Sequence, residues 1–171
     1  INEPRGHADM YGGFVVPADD ENGDLGVVFF HKDGFSTACG HGTIALVTWA
    51  IDSGLIEPKD EVVTVIVDVP SGRLVTEAKV HNQKVESVCF QNVPSFVSAT
   101  NISLQTSVGQ VNADISFGGA FYASVNAGKL GLSPTASNID ALISLGREIK
   151  DQLKDNQSAV HPDDDRLSGV Y

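Results

Sequence analysis

The alternation of apolar and polar residues along the chain predicts a mixed α and β fold in which strands are in the majority. Short apolar runs bounded by glycine, proline or polar turns are typical of β-strands. Such runs occupy 11–16, 25–31, 62–69, 73–80, 85–90, 93–97, 108–117 and 120–125. The run at 25–31 is the densest, so we expect a buried strand there, preceded by an acidic loop over 17–24.

Two segments have the spacing of apolar residues that predicts a helix. The first spans about residues 40–55, and Ser36 and Thr37 are its candidate N-caps. A helix that is apolar on nearly all sides is usually surrounded by protein, so we expect a central helix wrapped by strands. Its apolar residues are Ile44, Val47, Ile51 and Leu55 on one face, with Leu46, Trp49 and Ala50 on the other.

The second predicted helix spans about residues 138–153 and is amphipathic. Its apolar positions recur at helical spacing, which indicates one buried face. The residues expected on that face are Ile139, Leu142, Ile143, Leu145 and Ile149.

Composition narrows the class of protein. The chain has 171 residues, of which 42% are hydrophobic and 19% charged, and this is typical of a folded domain rather than a disordered chain. Eleven basic residues against 22 acidic ones give a net charge of −11, which argues against binding to nucleic acid or to an anionic membrane surface. No apolar run is long enough to cross a bilayer, and no signal peptide is recognised.

The two cysteines are too few for a disulfide framework, so we expect a reduced, cytoplasmic setting. The chain starts at Ile1 rather than at methionine, and an apolar strand begins at its last residues, 168–171. We therefore expect a fragment of a longer protein.

The strongest candidate for chemistry is Cys39, which opens the first predicted helix in the segment Cys39-Gly40-His41-Gly42. The N-terminus of a helix favours negative charge, and a cysteine placed there is stabilised as its thiolate. The backbone N–H groups of Gly40, His41 and Gly42 are expected to point beyond the helix end, where they can hold a carboxylate or another anion. The pattern predicts a reactive cysteine beside an anion site.

Both residue types also have a structural interpretation. Cys39 can be a small apolar core residue, and His41 can be a solvent-exposed residue of the first helical turn rather than a donor to a ligand. Cys89 lies in a predicted strand, where we expect an inert core residue.

The other histidines predict no metal site. His31, His81 and His161 have no partner at the spacing of metal ligands, so we expect surface or turn positions. Arg5 can bind a carboxylate or pair with Glu3, and the residue types do not separate these alternatives.

Two glycines interrupt the strand pattern near the middle of the chain. The pair Gly118-Gly119 predicts either a bend where a ligand approaches the backbone or a β-bulge.

Five segments, in order along nearly the whole chain, resemble the proline racemase family. They are Glu3-Pro4-Arg5-Gly6-His7, Asp9-Met10-Tyr11-Gly12, Cys39-Gly40-His41-Gly42, Asn92-Val93-Pro94-Ser95-Phe96 and the stretch 114–122. The family comprises proline racemases, hydroxyproline epimerases and trans-3-hydroxy-L-proline dehydratases. The resemblance implies an α/β (α+β) fold like that of diaminopimelate epimerase, with two similar domains that each have a curved sheet around a central helix. Residues 1–171 then form mainly the N-terminal domain.

The resemblance also implies roles for individual residues. Cys39 matches the family's catalytic cysteine at the start of the central helix. Gly40 and His41 match the residues whose amides bind the substrate carboxylate, and the His41 side chain matches one that faces the substrate nitrogen. Tyr11 matches an aromatic residue that lines the proline pocket. We therefore expect proline or a hydroxyproline as the small-molecule substrate, no cofactor, no metal, and assembly as a homodimer.

The reaction depends on a second catalytic residue that the family carries in its other domain. A second cysteine fits racemisation or epimerisation, and a threonine fits dehydration. Gly42 and Ala120 stand where racemases or epimerases often have asparagine, which favours the dehydratase branch. Two further alternatives are a thiol hydrolase, which needs a histidine base from elsewhere, and a binding domain without catalysis.

Overall fold

The structure is a computed structural model that describes residue 7 and residues 10–31 and 34–171. Its residues group into two compact units, Ile1–Val93 and Pro94–Tyr171. Glu3 and Arg5, for which the sequence left two alternatives, lie outside the described residues. That these units together form the N-terminal domain of a two-domain protein stays a prediction.

Within its described residues, the first unit contains a six-stranded mixed sheet and one α-helix. The elements are β1 (Tyr11–Val16), β2 (Leu25–His31), β3 (Gly34–Ser36), helix α1 (Gly40–Asp52), β4 (Val62–Val69), β5 (Gly72–His81) and β6 (Lys84–Gln91). The sheet order is β1-β2-β4-β5-β6, with β3 paired to β2, and the strand pairs are antiparallel except for the parallel pair β2–β4. All strands predicted in this unit are confirmed, and the short β3 was not predicted.

The core of this unit lies between the sheet and one side of α1. Residues alternate between buried and exposed along β5, as expected for a strand with one face on a core. The helix contributes Thr43, Val47, Ala50 and Ile51 to the buried face. The strands contribute Leu25, Val27, Phe29, Val65, Val67, Val69, Leu74, Ala78 and Val80.

The predicted central helix packed against the sheet is confirmed, but the sheet leaves one side of α1 uncovered. Ile44 is 39% exposed and Trp49 is 50% exposed, one from each predicted face, so the side of the helix that carries them stays open. The helix also ends at Asp52 rather than near residue 55, because Gly54 has φ +80°, a left-handed conformation that stops the helix.

An ion-pair cluster of Arg73, Asp68 and Asp20 links the acidic loop 17–24 to the sheet. The Arg73 guanidinium donates to both oxygens of Asp68 at 2.7 and 2.9 Å and to Asp20 at 2.8 Å. The Asp19 N–H also donates to Asp68, at 2.8 Å. The hydrogen bonds from Arg73 lower the pKa of the Asp68 carboxyl below its ordinary value of 3.8, in spite of its burial.

The second unit contains a three-stranded antiparallel sheet and one α-helix. The elements are β7 (Phe96–Thr106), β8 (Gly109–Phe117), β9 (Phe121–Val125) and α2 (Ile139–Leu153), and the sheet order is β7-β8-β9. The second helix, β8 and β9 agree with the prediction. The strand expected at 93–97 is only partly right, because β7 starts at Phe96 and continues to Thr106. Residues 98–106 are largely polar, and the pairing register shifts twice between Val97 and Ile102, so no clear alternation marked this strand.

The predicted buried face of helix α2 is confirmed at Leu145 and Ile149 but not towards the start of the helix. Leu145, Ile149 and Leu153 are buried, but Ile139 and Ile143 are exposed. The Gln152 side chain accepts from the Gln105 N–H at 3.2 Å and donates to the Gln105 carbonyl at 2.7 Å. Because β7 is an edge strand, these bonds occupy backbone groups that would otherwise be open for pairing.

The β8–β9 hairpin and the residues packed on it test two predictions for this unit, one for the pair Gly118-Gly119 and one for His161. Gly118-Gly119 forms the tight turn of the hairpin, in which Gly119 has φ +99° and the Gly118 N–H donates to the Ala120 carbonyl at 3.2 Å. His161 is not simply a surface residue, because its ring lies edge-on to Phe117 with the centroids 4.7 Å apart.

Candidate active site

The N-cap of α1 is Cys39 itself, so the prediction that Ser36 or Thr37 caps the helix is wrong. Cys39 has extended backbone angles, φ −155° and ψ 105°. Its Sγ accepts a hydrogen bond from the Gly42 N–H (N···S 3.2 Å), and its carbonyl accepts the first helical bond from the Thr43 N–H at 2.9 Å. The half-buried thiol therefore lies at the N-terminal end of α1, where backbone N–H groups without a helical acceptor favour a negative charge.

The three amides expected to hold an anion are not equivalent. The Gly42 N–H is already engaged by Cys39 Sγ. Gly40 and His41 are the first two residues of the helix, and the N–H groups of such residues have no acceptor within a helix. Two of the three predicted donors therefore remain for a carboxylate, and the exposed His41 side chain lies at the same helix end.

An apolar cavity of about 450 Å³ lies between β1, β2 and the open face of α1. It includes two of the predicted site residues, Tyr11 and Gly42, whereas Cys39, Gly40 and His41 lie at the helix start beside Gly42 and do not line it. Among the residues that the structure describes, no charged side chain lines the cavity, so this lining suits an apolar ring better than an ionic group. The lining residues are Tyr11, Gly12, Gly13, Val15, Val27, Phe29, Gly42, Ala45, Leu46 and Trp49.

Sequence reasoning missed Trp49, which lines this cavity, and His31, which packs against the lining residue Tyr11. Trp49 was predicted to be buried in the helix core but lines the open side of the cavity. His31 was predicted to be a surface or turn residue, but its ring is stacked with that of Tyr11, with the centroids 6.2 Å apart. The alternation in 25–31, which puts His31 on the same face as Phe29, was the signal that could have found it.

Gly42 is required by packing as well as by its amide. A Cβ at this position would overlap the ring of Phe29, which is only 2% exposed. The helix start therefore approaches β2 more closely than any other residue type allows.

Of the two cysteines, Cys89 differs from the prediction in its burial. Cys89 lies in a strand, as expected, but it is exposed, so its assignment to the core is wrong. It occupies the edge strand β6, where alternate side chains point away from the core, while Phe90 beside it packs on the core.

Within the described part of the chain, no three His, Cys, Asp or Glu side chains form a group that could hold a metal ion. In the same residues, no helix combines the length and the apolar character that a bilayer crossing requires.

Comparison with known proteins places this geometry in a family. The family model described as "Proline racemase" matches residues 1–171. A trans-3-hydroxy-L-proline dehydratase of Colwellia psychrerythraea is 42% identical over 170 residues, covering 99% of this chain and 48% of the relative. A proline racemase of Acetoanaerobium sticklandii is 34% identical over 172 residues, covering 99% of this chain and 51% of the relative.

A solved structure agrees with these sequence matches. A hydroxyproline epimerase from Agrobacterium vitis, with bound trans-4-hydroxy-L-proline, has a TM-score of 0.93 and 29% identity, covering 99% of this chain and 50% of that one. The chain thus spans about half the length of the relatives it matches. The matches to the family model and to these relatives cover almost every residue, and they include the helix start at Cys39; the chain belongs to the proline racemase family.

Proposed function

We propose that the full-length protein uses the Cys39 thiolate to remove the α-proton of proline or a hydroxyproline. The observation that carries this proposal is the position of Cys39 as the N-cap of α1, with Sγ accepting from the Gly42 N–H. Both the Gly42 N–H and the N-terminal end of α1 lie at the sulfur atom that, in this proposal, takes the proton. Relatives that are named as enzymes acting on proline or hydroxyproline support the same substrate class.

The proposed substrate pose follows from the two kinds of surface at the helix start. The carboxylate accepts hydrogen bonds from the Gly40 and His41 amides, and the His41 side chain faces the ring nitrogen. The apolar carbons of the ring lie toward Tyr11 and the adjoining cavity. The carboxylate, the ring nitrogen and the ring carbons of the substrate then each lie against a protein group of complementary charge or polarity.

We further propose dehydration of trans-3-hydroxy-L-proline as the reaction. The Cα–H bond breaks, and the proton goes to Cys39 Sγ. The electron pair forms the Cα=Cβ double bond while the bond from Cβ (ring atom C3) to its hydroxyl breaks, and the hydroxyl leaves as water with the proton that Sγ took up, which regenerates the thiolate. The enamine that results then becomes a cyclic imine. The electrons of the new double bond come from the substrate's own C–H bond, so the reaction involves no net oxidation or reduction. It therefore needs no redox cofactor.

The choice of dehydration over racemisation is supported by two residues and by one relative. Gly42 and Ala120 stand where the family's racemases or epimerases often carry asparagine. The dehydratase from Colwellia is 42% identical to this chain, and the racemase from Acetoanaerobium is 34% identical. Racemisation of proline or epimerisation of 4-hydroxyproline is the second candidate, favoured by the structural likeness to the hydroxyproline epimerase.

Incubation of the full-length protein with L-proline, trans-4-hydroxy-L-proline and trans-3-hydroxy-L-proline in separate tubes tests the proposal. We expect only the 3-hydroxy substrate to react, with formation of the cyclic imine. Inversion at Cα of either other substrate would establish the second candidate instead. No reaction in any tube, with Cys39 intact and reduced, would reject both. Assembly as a homodimer and a cytoplasmic location stay predictions.

A further inference from the structure

Buried hydroxyl groups hold the backbone on both sides of Cys39. Among the described residues, four polar or charged residues are buried, namely Ser36, Thr43, Asp68 and Thr76. Two of them donate to carbonyl groups that flank Cys39. A buried hydroxyl is costly unless it makes a hydrogen bond, so these bonds fix the positions of the groups that accept them.

The two acceptors belong to consecutive peptide groups. Ser36 Oγ donates to the Ala38 carbonyl at 2.8 Å, and this carbonyl belongs to the peptide group that precedes Cys39. Thr43 Oγ1 donates to the Cys39 carbonyl at 3.0 Å, which belongs to the peptide group that follows it. We call Ser36 and Thr43 the hydroxyl clamp.

The hydroxyl clamp acts on Cys39, a residue whose backbone conformation has to be fixed by contacts from outside the regular helix. Cys39 is the N-cap, with φ −155° and ψ 105°, so helix geometry does not fix its φ and ψ. With both flanking peptide groups anchored, rotation about χ1 is the main freedom that remains to Sγ. The Ser71 N–H adds a third anchor by donating to the Thr37 carbonyl at 3.0 Å.

We propose that Ser36 and Thr43 are positioning residues for the Cys39 thiolate, an inference that rests on the proposed function. The hydroxyl clamp keeps Sγ at the distance and angle from the substrate Cα–H that proton transfer requires. Loss of orientation at a reacting group is costly, because a displacement of about 1 Å can lower a rate roughly a hundredfold. Both residues are buried and bonded to backbone carbonyls, so their effect passes through Cys39 and, for Thr43, also through the Gly40 N–H of the same peptide group.

A threonine hydroxyl that donates to the carbonyl four residues earlier is common in helices, and the same helix contains a matched control. Thr48 Oγ1 donates to the Ile44 carbonyl at 2.8 Å, two turns from the helix start. Thr76 provides a buried control, because its Oγ1 donates to the Val65 carbonyl at 2.8 Å within the sheet. Replacement of either threonine by valine removes an equivalent bond without touching the Cys39 backbone.

The experiment compares Thr43→Val, Thr43→Ser, Ser36→Ala, Thr48→Val and Thr76→Val in the full-length protein. The first readout is the split between kcat and KM on the substrate that the wild type turns over. We expect kcat to fall roughly tenfold or more in Thr43→Val and Ser36→Ala, with a smaller change in KM. Thr43→Ser should recover most of kcat, because it keeps the hydroxyl. Both control variants should keep kcat within about twofold, even where Thr76→Val lowers the unfolding temperature.

A second readout does not need a substrate. Alkylation of Cys39 by iodoacetamide is followed against pH in a Cys89→Ser background, where Cys39 is the one remaining cysteine of the 171 residues. We expect the dependence of the Cys39 alkylation rate on pH to differ from the wild type in Thr43→Val. In Thr48→Val it should match the wild type.

The outcomes separate this inference from the proposed function. An unchanged kcat and alkylation profile in Thr43→Val, or equal losses in Thr43→Val and Thr76→Val, would overturn the hydroxyl clamp while the proposed function stands. A wild type that acts on none of the three proline substrates would reject the proposed function, and the alkylation profiles would still decide the clamp.

Discussion

Replacement of Cys39 by serine and by alanine separates its role as a base from its role as a helix cap. Sγ is the acceptor for the Gly42 N–H at the start of α1. Alanine has no acceptor, so the Gly42 amide loses its partner. A serine hydroxyl keeps the acceptor, and serine is among the preferred N-cap residues.

The magnitudes follow from that one hydrogen bond. Loss of an N-cap side chain costs about 1 kcal/mol, so we expect Cys39→Ala to lower the free energy of unfolding by about this amount. We expect Cys39→Ser to match the wild type within about 0.5 kcal/mol, because the cap is retained. Activity should fall roughly 10²–10⁴-fold in both variants, because neither serine nor alanine supplies a thiolate base.

Urea unfolding and steady-state kinetics on the same full-length samples provide the assay. We expect serine and alanine to differ in stability but to agree in loss of activity. If Cys39→Ser lost as much stability as Cys39→Ala, the capping role of Sγ would be wrong. If Cys39→Ser kept activity within about tenfold of the wild type, the general-base role would be wrong.

Three further predictions test the packing, the charges and the anion site. Gly42→Ala should lower the free energy of unfolding, measured with urea, by about 1–3 kcal/mol, because the new Cβ meets the buried Phe29 ring. Gly146→Ala in α2 is the control. A Cβ at that position has no neighbour within 4 Å, so the same measurement should show a neutral or stabilising effect. The pKa of Asp68 is lower in the folded protein than its ordinary 3.8, so its stabilisation is complete above that value and is lost as the pH falls below it. Acid unfolding should therefore show a flatter pH dependence for Asp68→Asn than for the wild type, and equal slopes would contradict the ion-pair account. Pyrrole-2-carboxylate should slow the alkylation of Cys39 and leave the second, exposed cysteine unaffected, as read by mass spectrometry; equal protection by a proline amide, which lacks the carboxylate, would argue against an anion site at the helix end.

The strands with continuous apolar runs could be predicted from the sequence with accurate bounds. The predictions for Tyr11–Val16, Leu25–His31 and Val62–Val69 match the structure at both ends. Each run is bounded by turn residues, so local pattern and tertiary position agree. The strand Phe96–Thr106 was only partly found, because its polar residues and register shifts obscure the period of two.

The candidate site could be predicted less completely. The sequence placed Cys39 at the helix start, but serine and threonine are stronger N-cap residues, so Ser36 and Thr37 were the natural choice. The bond from the Gly42 N–H to Sγ and the contact with Phe29 depend on the path of the chain in three dimensions. The open face of Trp49 was missed because an apolar residue pattern does not tell which parts of the protein cover it.

The most direct test of the central claim is the fate of a deuterium atom placed on the α-carbon of the substrate. The full-length protein and its Cys39→Ser variant are incubated with α-deuterated trans-3-hydroxy-L-proline, L-proline and trans-4-hydroxy-L-proline, and mass spectrometry follows the label. The account predicts that the wild type releases the α-deuterium of each substrate that it turns over, and that Cys39→Ser does not. Turnover with the deuterium retained on the α-carbon, or release at the wild-type rate by Cys39→Ser, would contradict it.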